Sequence, residues 1–153
     1  MRLALTKRSG DAIRILLYLA SLPPGQKQTS SQIAEASSIS AGNIPMLVAA
    51  LSRAGILECT RGPGGGCALA RDASQVNIAQ AVIAVEGSLG TERCAIDDVG
   101  CHERAYPCGI HHSWTAVLRA LTGELTGLSL ADALTRHEVN RSGTWAGSAE
   151  QGR

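Results

Sequence analysis

NIPMLVAALSRAGILECTRGPGGGCALA, residues 43–70, carries two periodicities back to back, and their succession decides the fold. At its start Ile44, Leu47, Val48 and Leu51 recur at the three- and four-residue steps of one helix face. Gly55 follows, the residue type that closes helices in the left-handed conformation. Pro45 would break a helix interior but is tolerated in a first turn, so this helix is expected to begin near Gly42 or Asn43. Beyond Gly55, a pair of short β-prone pieces flanks Gly62, Pro63, Gly64, Gly65 and Gly66. That pattern predicts a hairpin with a flexible tip and Arg61 at its shoulder.

Upstream, Ile13, Leu16, Leu17 and Ala20 form another helical stripe, ended by Pro23, Pro24 and Gly25. Thr29, Ser30 or Ser31 can cap a shorter helix through Ile33, Ala34 and Ala36, and the polar run at 37–40 then turns the chain. Three helices followed by a hairpin is the order of a winged helix-turn-helix, whose third helix enters the major groove of double-stranded DNA while the wing follows the backbone. The expected fold is mainly α with a small β-hairpin wing. Composition agrees: with only 3% aromatic residues and no Phe, the core must come from small aliphatic side chains, which favours helices over a β-sandwich. A chain of 153 residues suits one compact unit with an extension.

The net charge of +1 hides an uneven distribution. Residues 1–71 hold eight Lys or Arg against three acids, a net of +5, leaving −4 for residues 72–153. A polyanion is therefore drawn to the N-terminal half. Candidate DNA contacts there are Arg61, whose guanidinium can enter the minor groove, and Gly62, Gly64 and Gly65, which let backbone approach phosphate. Ser38, Ser40, Asn43 and Pro45 lie where the third helix starts, and Lys7 and Arg8 can meet phosphates from the first. The glycine tract lacks the Lys-Ser/Thr of a P-loop, and no helix opens from it, which argues against nucleotide binding.

Cys94, Cys101 and Cys108 follow, with six residues in each interval and His111 three positions after the last. Thiolates gathered on one Gly- and charge-rich segment are what a soft metal or an iron–sulfur cluster requires, and a Cys3His zinc site can use the same four residues. Cys59 and Cys67, in the two wing strands, are expected to be small buried hydrophobes. A nucleophilic enzyme built on Cys101 or Cys108 with His111 as base would lack an acidic orienter and an oxyanion arrangement, so no enzymatic role and no small-molecule substrate are expected.

RGPGGG at 61–66, the opening MRL with Thr6 and Lys7 shortly after, LSRAGIL at 51–57 and the three-cysteine loop together resemble the IscR/NsrR/RirA family of iron–sulfur winged-helix transcription regulators. The likeness runs from residue 1 to about 135. It implies a homodimeric regulator, a repressor, that senses nitric oxide, redox or iron–sulfur status. The implied layout is a DNA-binding domain at 1–87 ending in a helix over about 76–86 with Val76, Ala79 and Ile83. A cluster loop at 88–111 and a dimerisation helix with a short terminal helix at 112–137 follow; beyond the likeness, the scattered Gly, Ser and charges of 138–153 predict a disordered tail. Trp114, Val117, Leu118 and Leu121 have helical spacing in the implied dimerisation helix. The resemblance places the cluster thiolates at Cys94, Cys101 and Cys108 and a histidine ligand at His111. In NsrR-like members the fourth ligand is instead a carboxylate from the partner's first helix; the aligned position here is Gly10, with Asp11 adjacent as the alternative. Asp97, Asp98, His102 and His112 are further candidates, and 2Fe-2S and 4Fe-4S both stay open. A metal-free thiol regulator and a zinc-binding one are the alternatives.

Asp11 and Arg14 interrupt the N-terminal apolar stretch, against a signal peptide, and no run approaches the length of a membrane span. A cytoplasmic protein with reduced thiols and no membrane partner is the expectation.

Overall fold

The computed structural model describes residues 5–89, 94, 96, 99, 100, 103 and 105–141, the last three in backbone only. Helix α1 (Lys7–Ala20) starts where the Thr6 hydroxyl accepts from the Ser9 amide at 3.1 Å, a side-chain cap for an otherwise orphan donor. Helix α2 (Ser30–Ser37) opens on a full capping box between Thr29 and Gln32 and stops at Ser38, which adopts φ 54°. A single 3-10 turn, Ala41–Asn43, leads into α3 (Ile44–Arg53), with Pro45 in the first turn, where its missing N–H costs nothing.

The wing is a two-stranded antiparallel hairpin of β1 (Leu57–Thr60) and β2 (Gly66–Leu69), in which Leu57 faces Leu69 and Cys59 faces Cys67. Gln28 bridges to Cys67 on the other side of β2. Helix α4 (Ile78–Glu86) is entered through a second capping box, Asn77 with Gln80, and left through Gly87 at φ 87°. Helix α5 (His111–Gly127) and helix α6 (Leu130–Arg141) complete the described chain.

One core joins these elements. Ile15, Leu16, Ile33, Ile44, Leu47, Leu51, Ile56 and Val76 are fully buried, each contributing roughly 1.5–3 kcal/mol by its removal from water. Leu130 belongs to the same core, and its amide donates to the Val76 carbonyl at 2.7 Å while the Ile78 amide donates to Leu128 at 3.0 Å. The α5–α6 corner is thereby stitched to the entrance of α4. Helix α1 packs against α2, α3, α4 and α6. No described helix is long and apolar enough to cross a membrane.

The α3 stripe lies in the core as its spacing predicts. The α1 stripe is rotated: Ala12, Ile15, Leu16 and Leu19 are buried, whereas Ile13, Leu17 and Ala20 are half-buried. Helix α1 has apolar residues at nearly every position from 12 to 20, so several stripes satisfy the same spacing and the surrounding helices choose among them. In α4, Ile83 is 42% exposed and Val76 precedes the helix in extended backbone. Helix α6 is longer than the expected terminal helix and continues through 138–141, inside the segment expected to be a tail; residues 142–153 lie outside the described ones.

Candidate nucleic-acid interface and thiol centre

The third helix presents its first turn outward. Ser40, Asn43 and Pro45 are exposed, as is Ser38 in the preceding turn, and Met46 beside them is 50% exposed while Leu47 and Val48 turn inward. Alternation of buried and exposed positions at helical spacing produces this division. Nothing in the sequence singles out Met46, because an apolar residue in an apolar run carries no polar signal.

Arg61 is exposed where the wing loop leaves β1, with Gly62 and Gly64 at φ 94° and 71°. A Cβ on Gly65 would lie 2.3 Å from the Thr60 carbonyl oxygen, so only glycine lets the loop close on its own stem. Lys27, exposed and outside every motif named above, donates from Nζ to Thr60 Oγ1 at 2.7 Å and adds a cation to the wing's base. Its proximity depends on the Gln28–Cys67 bridge, which joins segments far apart in the chain.

Lys7 and Arg8 open α1 and are exposed. Lys7 Nζ lies 2.8 Å from Asp11 Oδ2, and Arg14 reaches the other oxygen at 3.1 Å. Asp11 is buried, and these two cations compensate the desolvation of its carboxylate. Thr6 Oγ1 and Ser9 Oγ both donate to Glu86 Oε1, the latter at 2.9 Å. The Thr6 hydrogen bond holds the Glu86 carboxyl below its ordinary range; desolvation opposes this, while Ser9 and the charge of Arg8 assist. The end of α4, from which the cysteine loop departs, is thus tied to the start of α1.

Across that loop, Cys94 Sγ and Cys108 Sγ stand 3.8 Å apart, Cys94 buried and Cys108 half-buried. Two thiolates on one tetrahedral metal, each bonded at about 2.3 Å, are about 3.8 Å apart, so the pair fits a shared ion. The Cys94 amide donates to the Val99 carbonyl at 2.8 Å, and the His111 amide donates to the Cys108 carbonyl at 3.0 Å. His111 is the first residue of α5, with its ring edge-on to His112 at 5.5 Å. Cys101, Asp97, Asp98 and His102 lie outside the described residues, and among the described residues no three potential ligands converge.

The wing cysteines differ from their expected role. Cys59 and Cys67 form a disulfide, with Cα atoms 4.1 Å apart, and Cys59 is exposed rather than buried. Both expectations, a pair of inert hydrophobes and uniformly reduced thiols, are corrected by strand register: the two residues face each other across the hairpin. Their placement on either side of the glycine tract was the available signal.

The Rrf2 family, described as iron-dependent transcriptional regulators, matches residues 5–136. The chain belongs to the Rrf2 family. It is 34% identical over 126 residues to an HTH-type transcriptional regulator of Neisseria meningitidis, covering 82% of this chain and 84% of that one. IscR of Photorhabdus laumondii is 30% identical, with 88% and 81% covered, and NsrR of Bacillus subtilis is 29% identical, with 88% and 92% covered. Among solved structures, T. potens IscR superposes with a TM-score of 0.72 at 21% identity, covering 91% of each chain. CymR, the global cysteine regulator of B. subtilis, gives 0.71 at 19%, covering 88% of this chain and 98% of that one. An Rrf2 winged-helix fold and a DNA-binding role in transcription regulation, not catalysis, follow for this chain.

Proposed function

We propose that this Rrf2-family protein is a cytoplasmic, homodimeric repressor that senses nitric oxide, redox or iron–sulfur status through a cluster held by Cys94, Cys101 and Cys108, with His111 as fourth ligand. The observation that carries this reading is the 3.8 Å approach of Cys94 and Cys108 at the foot of α5. His111 is favoured over Asp11 because the Asp11 carboxylate already engages Lys7 and Arg14 within its own helix. The bound group supplies an inorganic centre that nitric oxide, oxygen or iron scarcity attacks or depletes.

The rest of the mechanism lies in the chain. Trp114, Val117, Leu118 and Leu121 line α5, which buries none of its residues within one subunit, so a second copy is the natural cover for this stripe. Cys108 lies just before that helix and His111 is its first residue, so these two would hold the group there and tie the loop to α5. Glu86 carries the constraint from the loop's other end to Thr6 and Ser9 of the reading head. Two heads placed in this way present α3 and the wing, with Arg61, Gly62, Gly64 and Gly65, to half-sites about 34 Å apart. Ser38, Ser40, Asn43 and Pro45 face the bases, and Lys7 and Arg8 supplement the phosphate contacts.

Anaerobic isolation tests the reading. A coloured dimer with iron and acid-labile sulfide, binding duplex DNA more tightly with its cluster than without, is the expected result. A colourless zinc protein, or a metal-free one with a disulfide within the loop, would replace it with the corresponding alternative.

A further inference from the structure

We propose that Cys59 and Cys67 form a second, reversible redox site, in which a carboxylate-bearing low-molecular-weight disulfide oxidises the wing and strengthens its hold on DNA. The effect on DNA rests on the wing being a contact surface, as proposed above. The two residues are direct cross-strand partners, and the Cys67 amide and carbonyl are both spent on Gln28, at 2.8 and 2.9 Å. The Cys59–Cys67 pair is therefore of the non-hydrogen-bonded type, which brings side chains closest, so strand register favours the bond between them.

Exposure divides the labour between them. Cys59 is on the outer strand and exposed, whereas Cys67 is 7% exposed, so an incoming disulfide meets Cys59 first and Cys67 resolves. Both cysteines line one shallow cleft of about 360 Å³ with Thr29, Ser30 and Arg61. Arg61, and Lys27 held on Thr60, make that cleft suitable for a carboxylate-bearing reagent. Finally, the pair closes the stem of the loop that contains Arg61 and the glycines, and a disulfide in a cytoplasmic protein is more often a transient, sensing bond than a structural one.

In the reaction, the deprotonated Cys59 sulfur attacks one sulfur of the reagent, forming a mixed disulfide and releasing one thiolate. The deprotonated Cys67 sulfur then attacks Cys59 Sγ, forming the intramolecular bond and releasing the second. The two protein thiols lose two electrons, the reagent disulfide gains them, and the two protons end on the released thiols. Closing the stem restricts the glycine loop before DNA arrives, so less freedom remains to be lost on docking.

Full-length protein is equilibrated anaerobically across ratios of oxidised to reduced glutathione, alkylated, and read by peptide mass spectrometry; binding to a duplex selected from a random pool is followed by anisotropy. The Cys59–Cys67 peptide pair should form and break reversibly. Cys67→Ser should accumulate glutathione on Cys59, while Cys59→Ser leaves Cys67 unmodified. Oxidation should tighten binding about fivefold, the scale of ordering one long side chain, and Cys59→Ser should lose that response. Equal glutathionylation of the two single variants, or a pair that never cycles, overturns the redox site. A pair that cycles without changing affinity, while Arg61→Ala still weakens binding, overturns the regulation alone. If Arg61→Ala also has no effect, the wing is not a DNA contact, and the regulatory inference falls with that reading.

Discussion

Two pairs of cysteines meet in this molecule by different means. Cys59 and Cys67 are eight positions apart on paired strands, and the ladder sets their backbones 4.1 Å apart, close enough for a direct bond. Cys94 and Cys108 are fourteen positions apart on a loop, and their sulfurs stop at 3.8 Å, a separation that admits a metal between them. The first pair is held by regular hydrogen bonding, which leaves little freedom in its spacing. The second is held by the ends of its loop, at Glu86 and at the first turn of α5. Ladder geometry suits a two-electron bond between the thiols themselves, whereas a loop can order around a third body.

Substitutions in the two groups should therefore separate cleanly. Cys101→Ala is expected to abolish cluster retention with helix content nearly intact, while Cys59→Ser leaves iron and sulfide unchanged; loss of iron in both variants would erase the distinction. Val117→Asp, which puts a charge at the exposed position of the α5 stripe, should convert a dimer to a monomer by light scattering and cost far more DNA affinity than any single wing change. A variant that stays dimeric would move the interface elsewhere.

Arg61→Ala should weaken duplex binding by about 1–2 kcal/mol and, for a phosphate contact, reduce the salt slope by about one. Unchanged affinity across salt concentrations would remove Arg61 from the interface. The smallest effect concerns Glu86, at the loop's anchored end. Its carboxyl is held low when folded, so its hydrogen bonds stabilise the protein above the unfolded carboxyl range, and that contribution fades as pH falls through the folded value. Glu86→Gln should thus cost roughly a few tenths of a kcal/mol at neutral pH, discounted for exposure, and nothing in strong acid. A destabilisation that persists unchanged in strong acid would exclude the charge as its cause.

Local patterns determined much of this protein. The Ile44, Leu47, Val48, Leu51 stripe, Pro45 at a helix start and the glycine tract after Arg61 each act within a few residues, so the helix-turn-helix and its wing were legible in order along the chain. The cysteine spacing was legible in the same way, and it is the ground of the proposed ligand loop. Tertiary structure alone decided which of several apolar stripes of α1 enters the core, because that depends on the helices packed around it. It also placed Lys27 against Thr60, joined Glu86 to Thr6 and Ser9, and set Cys59 opposite Cys67. Composition and periodicity report what one segment prefers; strand register and helix docking report which distant segments meet, and bonds between them exist only once the chain has closed.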